Sequence, residues 1–328
     1  NMKYSDHIDT QHIKFSIDDC GRSIPNIMDG LKESHRKILY ATFLKNLRPS
    51  GKTMKVAQLA GFVAEKTNYH HGEQNLFETI TKLAQDFVGS NNMNLLMPNG
   101  QFGTRLQGGK DHASERYIFT KLNPLTRQIF NKDDDQVLTY LDDDGTLVEP
   151  EFYAPIIPFA LINGISGIGT GFSCSIPPFH PKQLVHYLKE KLKNQSTDSI
   201  EFVPYYEGFK GDIEKIEDKK YLIRGVYEKI GTDKVRITEL PIGLWTDDFK
   251  QYLETLMDTA TKTGKKKKAT IKGYVDMSTD TTVDITITFP AGVISKMEAT
   301  LVEYGCNQLE KTLKLYTTNT TTNMHAFT

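Results

Sequence analysis

The chain has 328 residues, a net charge of −1, and 38% hydrophobic, 10% aromatic and 25% charged residues, which suits two globular domains with a sizeable core. Its mean hydropathy is −0.44, and its longest apolar run, Ile156 to Ile162, is interrupted by Pro158. No segment approaches the roughly 20 apolar residues of a bilayer span, so a membrane partner is not expected. Cys20, Cys174 and Cys306 stand far apart without a CxxC pair, which excludes a disulfide scaffold and a cysteine zinc site and fits a reducing, intracellular setting. The N-terminus is polar, with no signal-peptide core. Because the chain starts on Asn1 and its last residues look mid-sequence, a piece of a longer protein is expected.

A pI near 6.8 argues against nucleic-acid binding by the usual basic-domain rule. The average hides a segregation. From Arg22 to Lys121 there are 14 Lys and Arg against 8 Asp and Glu; from Asn131 to Glu151 there is 1 lysine against 8 carboxylates. Such a division can build a local positive face, although ordinary surface charge explains it equally well.

In chain order, Pro25 can open a helical turn, and Ser34 can cap a helix to about Lys45 with Ile38, Leu39 and Phe43 on one side. A second helix is expected from about Met54 to Lys66. A third runs from about Glu73 to Val88, with Leu76, Ile80, Leu83, Ala84 and Phe87 at core spacing. Residues 89–121 are rich in glycine and asparagine and read as loop with short strands, a form that is often functional. The acidic DDDQVLTYLDDDG stretch reads as a surface turn and a short strand, its aspartates solvated rather than metal-binding. Pro181 starts a helix to about Asn194 with Leu184, Val185, Leu188 and Leu192 inward. Strands follow at YLIRGVYEKI, KVRITELP and TTVDITITF, the last with Val283, Ile285, Ile287 and Phe289 at period two. A helix is expected from Trp245 to Met257 and another from Val293 to Tyr304. The lysine run Lys265 to Lys268 reads as a solvated loop or a phosphate contact.

The glycines at 164, 167, 169 and 171 lack the GK[ST] of a phosphate loop and the spacing of a dinucleotide turn. A tight turn is the better reading. Ile168 inside it is either a local core plug or an apolar wedge of the kind that unstacks DNA. His70 and His71 precede Gly72 and Glu73 without further ligands at metal spacing; they stand where a helix N-terminus can hold phosphate. Tyr117 is a possible covalent nucleophile. A free tyrosine titrates near 10, so it needs help at neutral pH, and the adjacent Arg116 offers cation density for phosphate oxygens. Most Arg-Tyr dipeptides are nonetheless structural.

Four segments go further than such patterns. SIPNIMDGLKESHRKILYATF, KVAQLAGFVAEKTNYHHGE, LAQDFVGSNNMNLLMPNGQFGTRLQGGKDHASERYIFTKL and EPEFYAPIIPFALINGISGIGTGFS closely resemble type IIA DNA topoisomerases, in order and over nearly the whole chain. YHHGE is similar to the eukaryotic branch rather than to the YHPHGD-type run of the bacterial enzymes. The divergent second half and the lysine run fit a viral member of that branch.

The resemblance implies an α+β fold: a winged-helix domain with the catalytic tyrosine over residues 1–150, then an α/β tower domain over 151–328. It implies that Tyr117 attacks the DNA backbone to form a 5′-phosphotyrosyl link, with Arg116 stabilising the transition state. Arg22 supports the scissile phosphate, and one of His70 and His71, with His70 favoured, binds a phosphate oxygen. Lys32, Arg36, Lys37, Lys55, Arg105 and Lys110 are the expected DNA-facing cations, and Ile168 is the wedge. Family magnesium and ATP are held by a Toprim and an ATPase region upstream, so this stretch by itself is expected to bind and bend double-stranded DNA but to cleave little. The full enzyme is expected to be a homodimer, nuclear if cellular, and in host cytoplasm, with the nucleus as a second site, if viral. The alternatives are an inert winged-helix binding module, disfavoured by the intact Arg22, HHGE and Arg116-Tyr117 set, and a bacterial-type gyrase or topoisomerase IV chain.

Overall fold

A computed structural model describes residues 3–257 and 269–327. The lysine run at 265–268 lies outside the described residues.

The chain opens with a helical stretch that the polar composition concealed. Helix α1 (Tyr4–His7) leads through a π turn (Ile8–His12) into α2 (Ile13–Ser23). Pro25 therefore opens no helix; it follows the end of α2, and a turn at residues 27–29 comes after it. Three helices then build the first core: α3 (Glu33–Leu44), α4 (Val56–Thr67) and α5 (Glu73–Ala84). Their apolar stripes converge, and Ile38, Leu39, Leu59, Val63, Leu76 and Ile80 are fully buried. Burial of each such side chain contributes about 1.5–3 kcal/mol. Helix α4 starts at Val56 rather than Met54, because Met54 and Lys55 form β1 against β2 (Phe119–Thr120). Helix α5 stops at Ala84, where Gln85 turns extended and binds the following loop.

Helix α6 (Thr126–Ile129), a 3₁₀ turn (Lys132–Gln136) and the hairpin of β3 (Tyr140–Asp143) and β4 (Thr146–Pro150) carry the acidic stretch. Its aspartates are not all solvated: Asp135 takes two hydrogen bonds from Arg127, at 3.0 and 2.8 Å. Next come α7 (Phe159–Asn163) and a second hairpin, β5 (Ile165–Gly169) with β6 (Phe172–Ile176), then α8 (Pro181–Leu192). Tyr153, Phe159, Ile162, Phe179 and Leu184 pack into the same core as α3 to α5. Leu192 is 83% exposed, at the last turn of α8, rather than inward.

The rest of the chain forms a second core on antiparallel sheets. Strands β7 (Asp212–Glu217), β8 (Lys220–Arg224) and β13 (Tyr316–Thr320) pair in the order β13-β8-β7. Strands β9 (Val226–Lys229), β10 (Lys234–Glu239), β11 (Gly273–Asp276) and β12 (Ile285–Thr288) pair as β11-β12-β10-β9. Every ladder is antiparallel, so this half is α+β in character and not a parallel α/β unit. Helix α9 (Thr246–Met257) supplies Phe249 and Leu253 to its core, beside Ile285, Ile287 and Phe289. The last expected helix, to Tyr304, stops early as α10 (Val293–Glu298); a 3₁₀ turn with Tyr304 and Gly305 at positive φ follows, and beyond the expected span α11 (Gln308–Thr312) begins separately.

The two halves meet at a seam around Trp245. Trp245 packs edge-on to Phe87 with ring centroids 5.8 Å apart and covers the backbone of Gly108, where an added Cβ would lie 2.3 Å from the indole. No larger residue fits there. The Asp247 amide donates to the Leu106 carbonyl at 3.0 Å, and the Gln107 side chain donates to Asp247 at 2.9 Å. Loop 102–111 is thus pinned to the start of α9.

Candidate functional site

Tyr117 stands on a turn closed by its own amide donating to the Ser114 carbonyl at 2.9 Å. On one side, the carbonyls of Glu115 and Ile118 accept the Ala57 and Val56 amides of α4. On the other, Phe119 enters β2 and Ile118 is buried in the first core. The backbone is thereby held while the side chain projects: Tyr117 is 75% exposed and the Arg116 side chain 78%. Glu115 Oε1 is 4.0 Å from Arg116 Nε, too far for a hydrogen bond. The guanidinium keeps its donors for an external oxygen.

Upstream, the loop is braced from within. Gln85 donates to the carbonyls of Phe102 and Gly109, at 2.9 and 3.3 Å, and the Thr104 amide donates to the Asp111 carboxylate at 2.9 Å.

A second feature is a polar cleft of 330 Å³ between the end of α2, the start of α3 and one face of α5. Arg22, Lys32 and His71 line it, together with His35, Asn75 and Lys82. His70 is exposed but does not line the cleft; His71 replaces it as the histidine placed beside Arg22. The ring of Tyr69 sets His71, edge to face at 5.5 Å, and Tyr69 in turn donates to Asn75 at 2.7 Å. Gly72 caps α5 with φ +81°, and Glu73 opens its first turn, as the sequence predicts. His35 is pushed down to about 3, first by burial and then by the charges of Lys32, Arg36 and Lys82; it is neutral at ordinary pH.

Asp19 connects the cleft to the second hairpin. It accepts from Arg22 at 2.7 and 3.2 Å and from the Thr170 hydroxyl at 2.9 Å. Arg22 first, then Thr170, holds its carboxyl below the usual range. The hairpin also sits on α2 so closely that a Cβ on Gly167 would fall 2.0 Å from the Ser23 carbonyl oxygen. At its surface Ile168 is 85% exposed, with Phe172 exposed beside it. The core-plug reading of Ile168 is therefore wrong: a large apolar side chain is held out to solvent by a rigid base.

The expected DNA-facing cations divide. Lys55 and Lys110 are exposed, and Lys32 is partly buried in the cleft. Arg36, Lys37 and Arg105 are internal. Arg36 binds Asp29 at 2.8 and 3.3 Å and the Leu31 carbonyl at 3.1 Å. Lys37 binds Glu149 at 2.7 Å and the Thr67 carbonyl at 3.0 Å. Arg105 pairs with the fully buried Glu239 across the seam. A neutralised, desolvated cation cannot serve a DNA phosphate without leaving a buried carboxylate alone, so these three are corrected to structural roles. Their positions in charged motifs gave no sign of burial.

Lys82 was missed. Asn75, Thr79 and Lys82 recur at i, i+4 and i+7 on α5, one residue ahead of the core stripe Leu76, Ile80 and Leu83, and all three line the cleft. That polar stripe directly after HHGE was the available signal. Neither Arg116 nor Tyr117 lines this cleft. Among the described residues no three His, Cys, Asp or Glu side chains gather as a metal site.

A family model for the A subunit of DNA gyrase and topoisomerase IV matches residues 22–328, so the chain belongs to that family. Within it, the chain is 46% identical to DNA topoisomerase 2 of Arabidopsis thaliana over 99% of its own length and 21% of the relative. It is 46% identical to DNA topoisomerase 2-alpha of Cricetulus griseus over 99% of its length and 20% of that protein. Its fold matches the crystal structure of the Plasmodium falciparum topoisomerase II DNA-binding, cleavage and re-ligation domain with a TM-score of 0.90 and 45% identity, covering 99% of this chain and 42% of that one. The stretch is thus a type IIA topoisomerase DNA-cleavage region, similar to the eukaryotic branch. It spans about one fifth of the curated relatives it matches.

Proposed function

We propose that this chain is the DNA-breakage and rejoining part of an ATP-dependent type IIA topoisomerase, with Tyr117 as its nucleophile. The observation that carries this reading is the Arg116-Tyr117 pair, exposed on a turn whose backbone is anchored on both sides. The Tyr117 Oη gives up its proton and adds to a backbone phosphorus, the P–O3′ bond breaks, and the leaving 3′ oxygen takes up a proton, so none is gained or lost overall. The product joins the 5′ end to tyrosine. One phosphodiester replaces another, so the free 3′-hydroxyl can reverse the step and reseal the strand. Arg116 offers donors to the charge that builds on the non-bridging oxygens. Arg22 and His71 hold backbone phosphate in the cleft. Ile168, seated on α2, wedges between base pairs and bends the duplex.

The described residues offer no carboxylate cluster for magnesium. The Gly164–Gly171 stretch is the β5–β6 hairpin rather than a strand, loop and helix, so it does not fit ATP phosphates. Both groups belong, on this reading, to Toprim and ATPase regions beyond this stretch, and no step here runs through them. The helical half is read as the winged-helix domain and the sheet half as the tower. The segment around Tyr153 to Leu184 shares the first core, so we place the division beyond it. Two copies are needed to cut both strands, which makes the full enzyme a homodimer. It works in a nucleus if cellular, or in host cytoplasm and nucleus if viral.

The test is covalent trapping with the upstream magnesium-binding region joined to this chain, magnesium and labelled duplex present, and a detergent quench. A DNA-linked peptide containing Tyr117 through a 5′ phosphate is expected. Tyr117→Phe is expected to lose the adduct completely while keeping duplex binding. An adduct of equal yield in Tyr117→Phe would overturn the assignment, and good binding without any adduct would favour an inert binding module.

A further inference from the structure

The cleft holds more positive charge than its neighbours neutralise. Of its cations, Arg22 is paired with Asp19. Lys32 and Lys82 reach it from two different elements, the start of α3 and the last turn of α5, and among the described residues neither engages a carboxylate in an ion pair. The one carboxylate on the lining, Glu33, lies 3.6 Å from Lys37 instead. His35 lines the same cleft, and as a neutral imidazole it can donate one hydrogen bond without adding charge.

We propose that Lys32 and Lys82 form a seat for one backbone phosphate of bound duplex DNA, with Lys82 as a binding residue of this site. The inference rests on the DNA-cleavage reading and extends it to a contact on α5. Two ammonium groups facing one 330 Å³ cleft repel each other when it is empty, and an anion removes that repulsion. Burial first, and Lys82 second, hold the Lys32 ammonium below its usual range, which is the state that an incoming phosphate relieves. Lys82 lies on the exposed edge of α5, so replacing it disturbs no core.

The experiment is duplex binding by the chain across a series of salt concentrations. Lys82→Gln is expected to weaken binding and to flatten the slope of log affinity against log salt by roughly 0.9, the value for one phosphate contact. Lys82→Arg is expected to keep the slope. Lys215→Gln, a lysine of the sheet half paired with Glu201, is expected to leave it unchanged. An unchanged slope in Lys82→Gln, with steep salt dependence in the natural chain, overturns this inference and leaves the cleavage reading standing. A flat slope in the natural chain overturns both. Inorganic phosphate, followed by ³¹P line broadening, provides the last arm. Broadening that vanishes in Lys82→Gln while the DNA slope stays unchanged would make the cleft a free-anion site and refute the DNA contact.

Discussion

The helical and sheet halves differ in where their paired positive charges lie: the buried ones, Arg36, Lys37 and Arg105, all belong to the helical half. In the sheet half, Lys215, Lys220, Lys229, Arg236, Lys250 and Lys311 engage carboxylates at or near the surface. In the helical half Arg36, Lys37 and Arg105 are paired inside, Arg22, Lys66 and Arg127 are paired at or near the surface, and Lys32, Lys55, Lys82 and Lys110 form no ion pair among the described residues. Pairing inside the core keeps desolvated charges tolerable. Leaving outer charges unpaired maintains a positive potential for a polyanion. The near-zero net charge of the whole chain therefore says little about its partner; the distribution of pairing says more.

This contrast can be broken or sharpened by experiment. The largest effect on stability is expected at the seam. Arg105→Ala strands the buried Glu239 and should cost about 3–5 kcal/mol, read by calorimetry as a fall in Tm. The double variant Arg105→Met with Glu239→Leu should recover most of it, because no lone charge remains. If Arg105→Ala instead lowers the salt slope of DNA binding and leaves Tm alone, Arg105 is a DNA contact after all. Next, Arg116→Gln in the cleavage-competent enzyme should slow adduct formation by roughly 10²- to 10³-fold, the usual loss for one transition-state donor, with little change in Tm because the side chain is exposed; a near-normal rate would remove Arg116 from the site.

Ile168→Ala should reduce the duplex bend seen by fluorescence transfer between labelled DNA ends, with folding unaffected because the side chain is exposed. An unchanged bend angle would count against the wedge. Lys55→Gln and Lys110→Gln should each flatten the salt slope by roughly 0.9, whereas Lys311→Gln in the sheet half should not; equal effects in both halves would dissolve the comparison.

The smallest effect concerns Asp19. Arg22 and Thr170 hold its carboxyl below the ordinary value of about 3.9. Its contribution is present above that value and is lost as pH falls through the folded one. Amide exchange in residues 165–176 should therefore quicken on going from pH 6 to strong acid, after allowance for intrinsic rates, and Asp19→Asn should show fast exchange at both. An Asp19→Asn hairpin as protected as the natural one would separate the wedge from the cleft.

Much of this molecule was legible in its residues. Helices α3, α4, α5, α8 and α9 followed from apolar spacing, because 3.6-residue periodicity is a local property; the expected Ser34 cap did not hold, since α3 already begins at Glu33 after Lys32 and has no side-chain cap. Strand β12 followed from the alternation of Ile285, Ile287 and Phe289. The site motifs around Arg22, His71 and Tyr117 were visible through resemblance. The failures have different causes. Helix α2 carries Ile13, Ile17 and Cys20 at helical spacing, a signal present in the sequence, yet Ile13, Phe15 and Ile17 stay exposed in the fold. The final helix, expected to Tyr304, ends at Glu298, after which Leu301 bridges Asn307, a pairing that no local periodicity marks.

What the sequence determined by itself was membership, element type along most of the chain, and the chemistry available: a tyrosine beside an arginine, a histidine pair before a helix, an isoleucine among glycines. Tertiary structure alone decided which charges are available. Arg36, Lys37 and Arg105 look no different in sequence from Lys32, Lys55 and Lys82. Asp29, Glu149 and Glu239 reach the first three from 7, 112 and 134 residues away and across packed elements. Charge is written in the residue, but its neutralisation depends on what stands within a few ångströms after folding.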